Sequence, residues 1–333
     1  MLQISVTERS EVAEARRRCV AIAEANGFDD TDAGRVAIVA TELASNLVKH
    51  AGGGSLLCGF YEDQTGSGIE ILSLDRGPGM ANPSECLRDG YSTGGTSGHG
   101  LGAVRRQASV FDIVSKPGAG TVLHMRMTPG RPPLVPTNVP HPAWGAVSIP
   151  KPGEDVCGDA WAAAFVTDAL AVIVADGLGH GPDAALAANE AVRTFRRQSE
   201  RPAELVASAV HESLRATRGA AIGIAHLYDG GDLRFAGIGN IAGLIGNGTT
   251  SRRVVSMNGT AGHNARRVQA FDYPLGAGPV VLFSDGISGN WSWETYAEHA
   301  GRHPTLLAAL IYRDNVRGRD DATVLVAYPK RRP

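Results

Sequence analysis

The chain has 333 residues, 43% apolar and 20% charged, with a formal net charge of −2. That length suits two domains that each bury a core, and the composition is ordinary for a globular protein. The near-balanced charge excludes a broad electrostatic grip on nucleic acid phosphates.

No apolar run approaches the ~18 residues of a membrane span. The opening MLQISVTERSEVAEARRR lacks the apolar centre of a signal peptide. These features predict a cytoplasmic protein with no membrane and no nucleic-acid partner. Cys19, Cys58, Cys86 and Cys157 are too far apart for a metal knuckle or a C-x-x-C pair, and read as reduced thiols.

In chain order, residues 10–26 read as a helix with apolar Val12, Ala15, Cys19 and Ile22. A second helix is expected over 32–50, with Val36, Val39, Leu43 and Leu47 on one stripe. Strands follow at 55–62 and 69–75, then a loop-rich stretch over 76–99 and a helix from about Leu101. A hairpin, VFDIVSK and TVLHMRM joined by Pro117-Gly118-Ala119-Gly120, closes the first half. Between Pro129 and Pro142, six of fourteen residues are proline, which marks a stiff connector. Domains are therefore expected at 1–128 and 143–333, with 129–142 as the linker. The second half is rich in short strands: LAVIVADG, AIGIAHLYDG, GDLRFAGIG, PVVLFSDG and ATVLVAY. With helices over 182–198 and 203–217, it predicts an α/β layered sandwich.

Three clusters in the first half carry possible chemistry. Glu42, Asn46 and His50 recur at i, i+4 and i+8, with Lys49 beside them, so a continuous helix puts them on one face. An amide oxygen there can hold Mg²⁺, and a carboxylate one turn away can orient or deprotonate a nucleophile. Asp75-Arg76-Gly77-Pro78-Gly79 ends an apolar run; its carboxylate can accept from an adenine amino group, and its glycines allow close backbone approach. The glycine-rich stretch from Gly94 to Gly102 runs into a helix N-terminus, which is a ready anion cradle. Thr121, after Gly120, can support the adenine end.

Taken together and in this order, ATELASNLVKHA, DRGPGM, SGHGLGAVRR and GAGTV resemble the gyrase/histidine-kinase ATPase superfamily. The likeness is greatest to the small anti-sigma serine kinases and switch-protein kinases of bacterial stress-response modules. It implies a two-layer α/β sandwich over 1–128 that binds ATP and Mg²⁺. By resemblance, Glu42 is the catalytic carboxylate, Asn46 reaches the metal and Asp75 reads adenine. Lys49, His50, Gly77, Gly79 and Thr121 fall within the implied nucleotide site, and Gly98, His99, Gly100, Leu101 and Gly102 wrap the phosphates.

In the second half, acids end apolar or β-like segments: Asp159 in VCGDAW, Asp176 in LAVIVADGLGHG, Asp285 in PVVLFSDGIS, and Asp320-Asp321 in RGRDDATVLV. Oxygen-only ligation favours Mg²⁺ or Mn²⁺ over zinc. Two such ions can lower the pKa of a bridging water and neutralise phosphate charge. His180, beside the second motif, is a candidate general acid, and Cys157 reads as packing.

These motifs, with Gly239-Asn240 between them, resemble the magnesium- or manganese-dependent protein phosphatases of the short bacterial sporulation and stress-response (SpoIIE) group. The resemblance implies an α/β/β/α sandwich over 143–333 holding two Mn²⁺ or Mg²⁺. By it, Asp176 bridges both ions with help from the Gly177 carbonyl and serves catalysis. Asp159 joins one ion, Asp285 and Asp320 hold the other, and Asp321 supports them. One departure stands out: larger relatives place a phosphate-clamping arginine just before the first motif, where the nearest cation here is Lys151.

The combination predicts a bifunctional phosphosignalling switch that phosphorylates and dephosphorylates a STAS-type anti-sigma-antagonist partner. Two alternatives remain open: a phosphatase regulated by a non-catalytic nucleotide sensor, and a non-enzymatic partner-sequestering module.

Overall fold

The computed structural model describes residues 1–87, 100–130, 142–265 and 268–329. It forms two compact units, Met1–Pro142 and Ala143–Pro333. No helix in the described residues is long and apolar enough to cross a membrane. Most of the proline-rich segment, 131–141, lies outside the described residues.

The first unit runs β1 (Leu2–Val6), α1 (Arg9–Ala25), α2 (Asp30–Asn46), β2 (Gly54–Asp63), β3 (Gly66–Leu74), α3 (Pro83–Cys86), α4 (Gly100–Gln107), β4 (Val110–Ser115) and β5 (Thr121–Met127). Its strands form one antiparallel sheet in the order β1-β2-β3-β5-β4. Alternation sends Ile69 and Ile71 of β3, and Leu123, Met125 and Met127 of β5, to the helix side. There they meet Ala15, Cys19 and Ala23 of α1 and Val36, Val39, Ala40 and Leu43 of α2. This is a two-layer α/β sandwich. Asp29 caps α2 by accepting from the Asp32 amide at 2.8 Å. Arg35 ties the far end of α4 to α2, donating from Nε to Gln107 Oε1 at 2.9 Å and from Nη2 to the Gln107 carbonyl at 3.0 Å.

The expected helix over 32–50 needs a correction. The α-helix starts at Asp30 and stops at Asn46; Leu47–Ala51 winds as a π-helical turn closed by left-handed Gly52 at φ 73°. A π turn takes more residues per revolution than an α turn. The wider turn carries Lys49 and His50 beyond the end of the α-helix that holds Glu42 and Asn46.

The second unit runs β6 (Trp144–Ile149), β7 (Asp159–Val166), β8 (Ala169–Gly177), α5 (Pro182–Gln198), α6 (Ala203–Ser213), β9 (Ala220–Tyr228), β10 (Asp232–Ile238), β11 (Ala242–Asn247), β12 (Thr250–Arg253), β13 (Ala270–Pro274), β14 (Val280–Phe283), α7 (Pro304–Asn315) and β15 (Ala322–Ala327). One sheet has the order β13-β10-β9-β8-β7 and the other β12-β11-β14-β15-β6. β8 explains the layering. Its odd residues Ala171, Ile173 and Ala175 pack with Phe195 of α5 and Val206 and Val210 of α6. Its even residues Leu170, Val172 and Val174 face Val280, Leu282 and Leu325 of the second sheet. A strand buried on both faces reads as an unbroken apolar run, which is why LAVIVA does not alternate. Helix α7 covers the other side of the second sheet, against β6 and β15. The result is an α/β/β/α sandwich.

Candidate functional site

In the first unit, α2 and the start of α4 converge. A Cβ built on Gly100 would lie 3.3 Å from Glu42 Oε2, 3.7 Å from Asn46 Oδ1 and 3.8 Å from Asn46 Nδ2. The helix whose N-terminal amides can meet an anion thus begins against the carboxylate and the amide singled out in the sequence. Leu101 packs at the edge of the core and Gly102 is buried. Lys49 and His50, on the π turn, are solvent-exposed. Gly98 and His99 lie outside the described residues, as does the rest of the 88–99 stretch.

Asp75 fixes a corner where β3 meets β5. Its Oδ1 accepts from the Gly77 amide at 2.8 Å and from the Thr121 amide at 3.1 Å. The Asp75 amide donates to the Thr121 carbonyl at 2.9 Å. Ser115 Oγ accepts from the Met80 amide and lies 2.9 Å from Thr121 Oγ1. The glycines serve this corner first. A Cβ on Gly77 would sit 2.6 Å from Ala51 Cα, and one on Gly79, at φ 68°, would sit 1.9 Å from the Lys116 carbonyl oxygen. Their close approach is to the protein's own backbone, where the sequence suggested approach to a ligand.

In the second unit, the acids gather at one end of the sandwich. Asp159 and Asp176 are direct partners across the antiparallel β7–β8 pair. Asp176 continues the even positions of β8, so both carboxylates face the layer between the sheets. Across from them, the inner positions of the second sheet turn polar at the same end. Ser284 Oγ donates to Asp159 Oδ2 at 2.6 Å and accepts from the Thr323 amide at 2.9 Å. Thr323 Oγ1 lies 2.8 Å from Ser148 Oγ. Asp321 Oδ1 accepts from the Lys151 amide at 2.9 Å, Asp320 Oδ1 from the Asp321 amide at 3.0 Å, and Asp285 Oδ2 from Asn240 Nδ2 at 2.8 Å. The interior thus changes from apolar to polar two residues beyond Val174, at Asp176, and two beyond Leu282, at Ser284.

Electrostatics mark this as a site missing a positive charge. Two like charges paired across a sheet repel. Burial pushes the Asp159 carboxyl up to about 7, with Asp321 and Asp285 adding to the rise against hydrogen bonds from Ser284 and Thr323. Burial and then Asp159, Asp285, Asp320 and Asp321 push Asp176 up to about 9. Asp285 is raised by burial and Asp320, while Arg317 and Asn240 oppose. Asp159 Oδ1 and Asp321 Oδ2 are buried without a hydrogen-bond partner, a costly arrangement for a carboxylate unless a cation supplies the other half. Among the described residues, no three of these five carboxylates bring an oxygen each to within 4.8 Å of one another. The donor set fits hard divalent cations shared along the end of the sandwich.

Gly177 binds the loop to the fold: its amide donates to the Gly158 carbonyl at 3.1 Å, and a Cβ there would lie 2.0 Å from the Ala184 carbonyl oxygen. His180 Nδ1 is 2.6 Å from Glu154 Oε1 on the surface. Cys157 is half-buried with its thiol pushed up to about 12 by burial and the nearby Asp159, consistent with packing. Sequence reasoning missed Ser284 and Thr323, which carry the network beneath the acids. The only signal was their position inside Ser-Asp-Gly and Asp-Asp-Ala-Thr.

Comparison with known proteins divides along the same line. The histidine kinase-like ATPase domain family matches residues 5–127, and the stage II sporulation protein E (SpoIIE) family matches residues 167–330. The serine/threonine-protein kinase RsbT of Bacillus subtilis (strain 168) is 32% identical over 111 residues, spanning 33% of this chain and 84% of RsbT. A solved structure from work on the bacterial stressosome as a modular system adapted to control secondary messenger signaling is 26% identical, with a TM-score of 0.53, covering 56% of this chain and 98% of its own. A crystal structure of RsbX in complex with magnesium is 16% identical, with a TM-score of 0.49, over 56% of this chain and 94% of its own. The chain belongs to the histidine kinase-like ATPase family through its first unit, a kinase-like domain of RsbT type, and joins to it a SpoIIE-family phosphatase domain.

Proposed function

We propose that this protein sets the phosphorylation state of a STAS-type regulator in a bacterial stress or sigma-factor pathway. The second unit, over 143–333, acts as a Mg²⁺- or Mn²⁺-dependent phosphoserine/phosphothreonine phosphatase. The first, over 1–128, binds ATP and Mg²⁺ and acts as a serine/threonine kinase, with 129–142 as the connector. The carrying observation is the set of five aspartates at one end of the sandwich, two with buried oxygens that lack a partner.

Asp159, Asp176, the Gly177 carbonyl, Asp285 and Asp320 would hold two divalent cations, with Asp321 in support. Bound there, such ions supply a nucleophilic hydroxide and neutralise phosphate charge. The chain's own part is to hold the ligands still. Ser284 orients Asp159, Asn240 orients Asp285, and the Lys151 amide orients Asp321.

In the first unit, Asn46 would reach Mg²⁺ and Glu42 would orient the attacking hydroxyl, both beside the first turn of α4. Asp75, fixed by its corner, would accept from the adenine amino group, with Gly77, Gly79 and Thr121 shaping that end. Lys49, His50, Gly98, His99, Gly100, Leu101 and Gly102 would complete the phosphate side. The likeness to a serine/threonine-protein kinase supports transfer beyond binding, and the likeness to a stressosome structure supports the pathway.

The test is incubation of the full chain with a STAS-type protein under two conditions: labelled ATP·Mg²⁺, and the phosphorylated protein with Mn²⁺. Glu42→Ala should stop the first reaction and Asp176→Asn the second. ATP binding without transfer to any STAS-type protein would convert the first unit from kinase to nucleotide sensor.

A further inference from the structure

The phosphatase reading leaves the substrate phosphate without its expected clamp, because no arginine lies just before Asp159. The fold supplies a cation from the other side of the metal motif. Strands β8 and β9 pair Asp176 with Ala221 and Gly177 with Ala220. The ladder runs on: the Leu178 amide donates to the Gly219 carbonyl at 3.0 Å. The next step along the same register sets Gly179 opposite Arg218. The side chain follows, since a Cβ built on Gly179 would lie 3.4 Å from Arg218 Nη1. The guanidinium therefore lies over the loop that follows Asp176.

The backbone beneath it is fixed on both sides. His263 Nε2 donates to the Arg218 carbonyl at 3.0 Å. Gly219 has φ 80°, and a Cβ there would lie 2.6 Å from the Ala261 carbonyl oxygen. Ala220 and Ala261 exchange both backbone hydrogen bonds, at 3.1 and 2.8 Å. The guanidinium itself is half in solvent, with a side-chain exposure of 52%. Its ion pair is with Asp183 Oδ2, at 2.5 Å, on the first turn of α5, and that carboxylate is 66% exposed. An exposed pair of this kind adds little to stability, so its partner is exchangeable. Of the other cations, Arg317 offsets Asp285, and the Lys151 backbone amide, not its ammonium, serves Asp321.

We propose that Arg218 is the residue that receives the phosphate group of the substrate, releasing Asp183 to do so. The planar guanidinium fork matches a phosphate in two parallel hydrogen bonds, which a lysine cannot reproduce. Asp183 then acts as a placeholder that keeps the fork aimed along the loop while no phosphate is present. This proposal rests on the phosphatase reading of the site.

The experiment uses the full chain with Mn²⁺, p-nitrophenyl phosphate as substrate and inorganic phosphate as inhibitor. Arg218→Ala should raise KM for the ester and Ki for phosphate about tenfold or more, with kcat and the half-saturating Mn²⁺ concentration within a few-fold of wild type. Arg218→Lys should recover only part of the loss. Asp183→Asn, which frees the fork without removing it, should lower Ki for phosphate. Values for Arg218→Ala and Asp183→Asn within twofold of an active wild type would overturn the assignment of Arg218 alone. Absence of any Mn²⁺-dependent hydrolysis by wild type would overturn the phosphatase reading and this proposal with it. If Arg218→Ala fails to fold, Arg218→Lys and Asp183→Asn still decide, because unchanged constants in both contradict the exchange.

Discussion

Replacing Ser284 with alanine tests whether the buried hydroxyl network sets the geometry of the acidic site. Ser284 is 1% exposed. Its hydroxyl makes two bonds at once, donating to Asp159 Oδ2 at 2.6 Å and accepting from the Thr323 amide at 2.9 Å. The substitution leaves a buried N–H unpaired, which costs about 1–3 kcal/mol, and removes a bond to a carboxylate worth about 1.5–3 kcal/mol. Asp159 is pushed up to about 7, so near neutral pH without metal it is partly protonated and the second figure falls to its lower end. The expected loss is about 3 kcal/mol, or roughly 6–12 °C in the melting transition of a unit this size. Metal binding should weaken as well, because a ligand's hydrogen-bonded support is typically worth about 10–100-fold in affinity. Thermal melts of the metal-free protein give the first quantity, and activity against Mn²⁺ concentration gives the second. A variant melting within 1 °C of wild type and saturating at the same Mn²⁺ concentration, both measured on the same preparation, would refute the reasoning (order-of-magnitude losses are at stake).

Three further outcomes follow from the same structure. Asp176→Asn should abolish Mn²⁺-dependent hydrolysis yet raise the melting temperature of the metal-free protein, since it removes a buried acid that burial and four neighbouring aspartates disfavour; a lower melting temperature would contradict that account. Because the folded-state values of about 7 for Asp159 and about 9 for Asp176 exceed the ordinary 3.8, their contribution favours folding at low pH and is lost as pH rises. Urea midpoints of EDTA-treated protein should therefore fall between pH 5 and pH 9, and the fall should shrink in Asp176→Asn. Calorimetry should show ATP·Mg²⁺ binding weakened about tenfold by Asp75→Asn and nearly unchanged by Glu42→Ala, with labelled phosphate transfer lost in the latter.

How much the sequence revealed depended on whether a residue's neighbours in the chain are also its neighbours in space. LAVIVADG announced β8 and its terminal acid, because a doubly buried strand is apolar throughout. The hairpin VFDIVSK–TVLHMRM paired as its turn suggested, Val110 with Arg126 through Ser115 with Thr121. Strand β7 was not foreseen: DAWAAAFV is mostly alanine and has no clear period. Helix α7 escaped notice for a related reason, since its residues from Pro304 to Tyr312 are buried and leave no polar face to define a stripe. The π turn at Leu47 has no signature in residue type, so the end of the α-helix at Asn46 was not foreseen. Among the site residues, the aspartates were legible one by one at strand ends. Their convergence, and the Ser148–Thr323–Ser284–Asp159 chain beneath them, arises from pairings up to 175 positions apart that local spacing does not encode.

The packing around the glycines changes what a motif can report about descendants of this protein. A Cβ on Gly286 would lie 1.9 Å from the Asp321 carbonyl oxygen, one on Gly177 2.0 Å from that of Ala184, and one on Gly79 1.9 Å from that of Lys116. Each of these glycines is held by sterics that persist whether or not a cation or nucleotide ever binds. The aspartates beside them are under the opposite pressure, since mutual repulsion makes their replacement favourable for folding once activity is no longer selected. Loss of function should therefore erode the acids first and leave the glycines standing. In such a lineage, an intact glycine would testify to the architecture and say nothing about the chemistry.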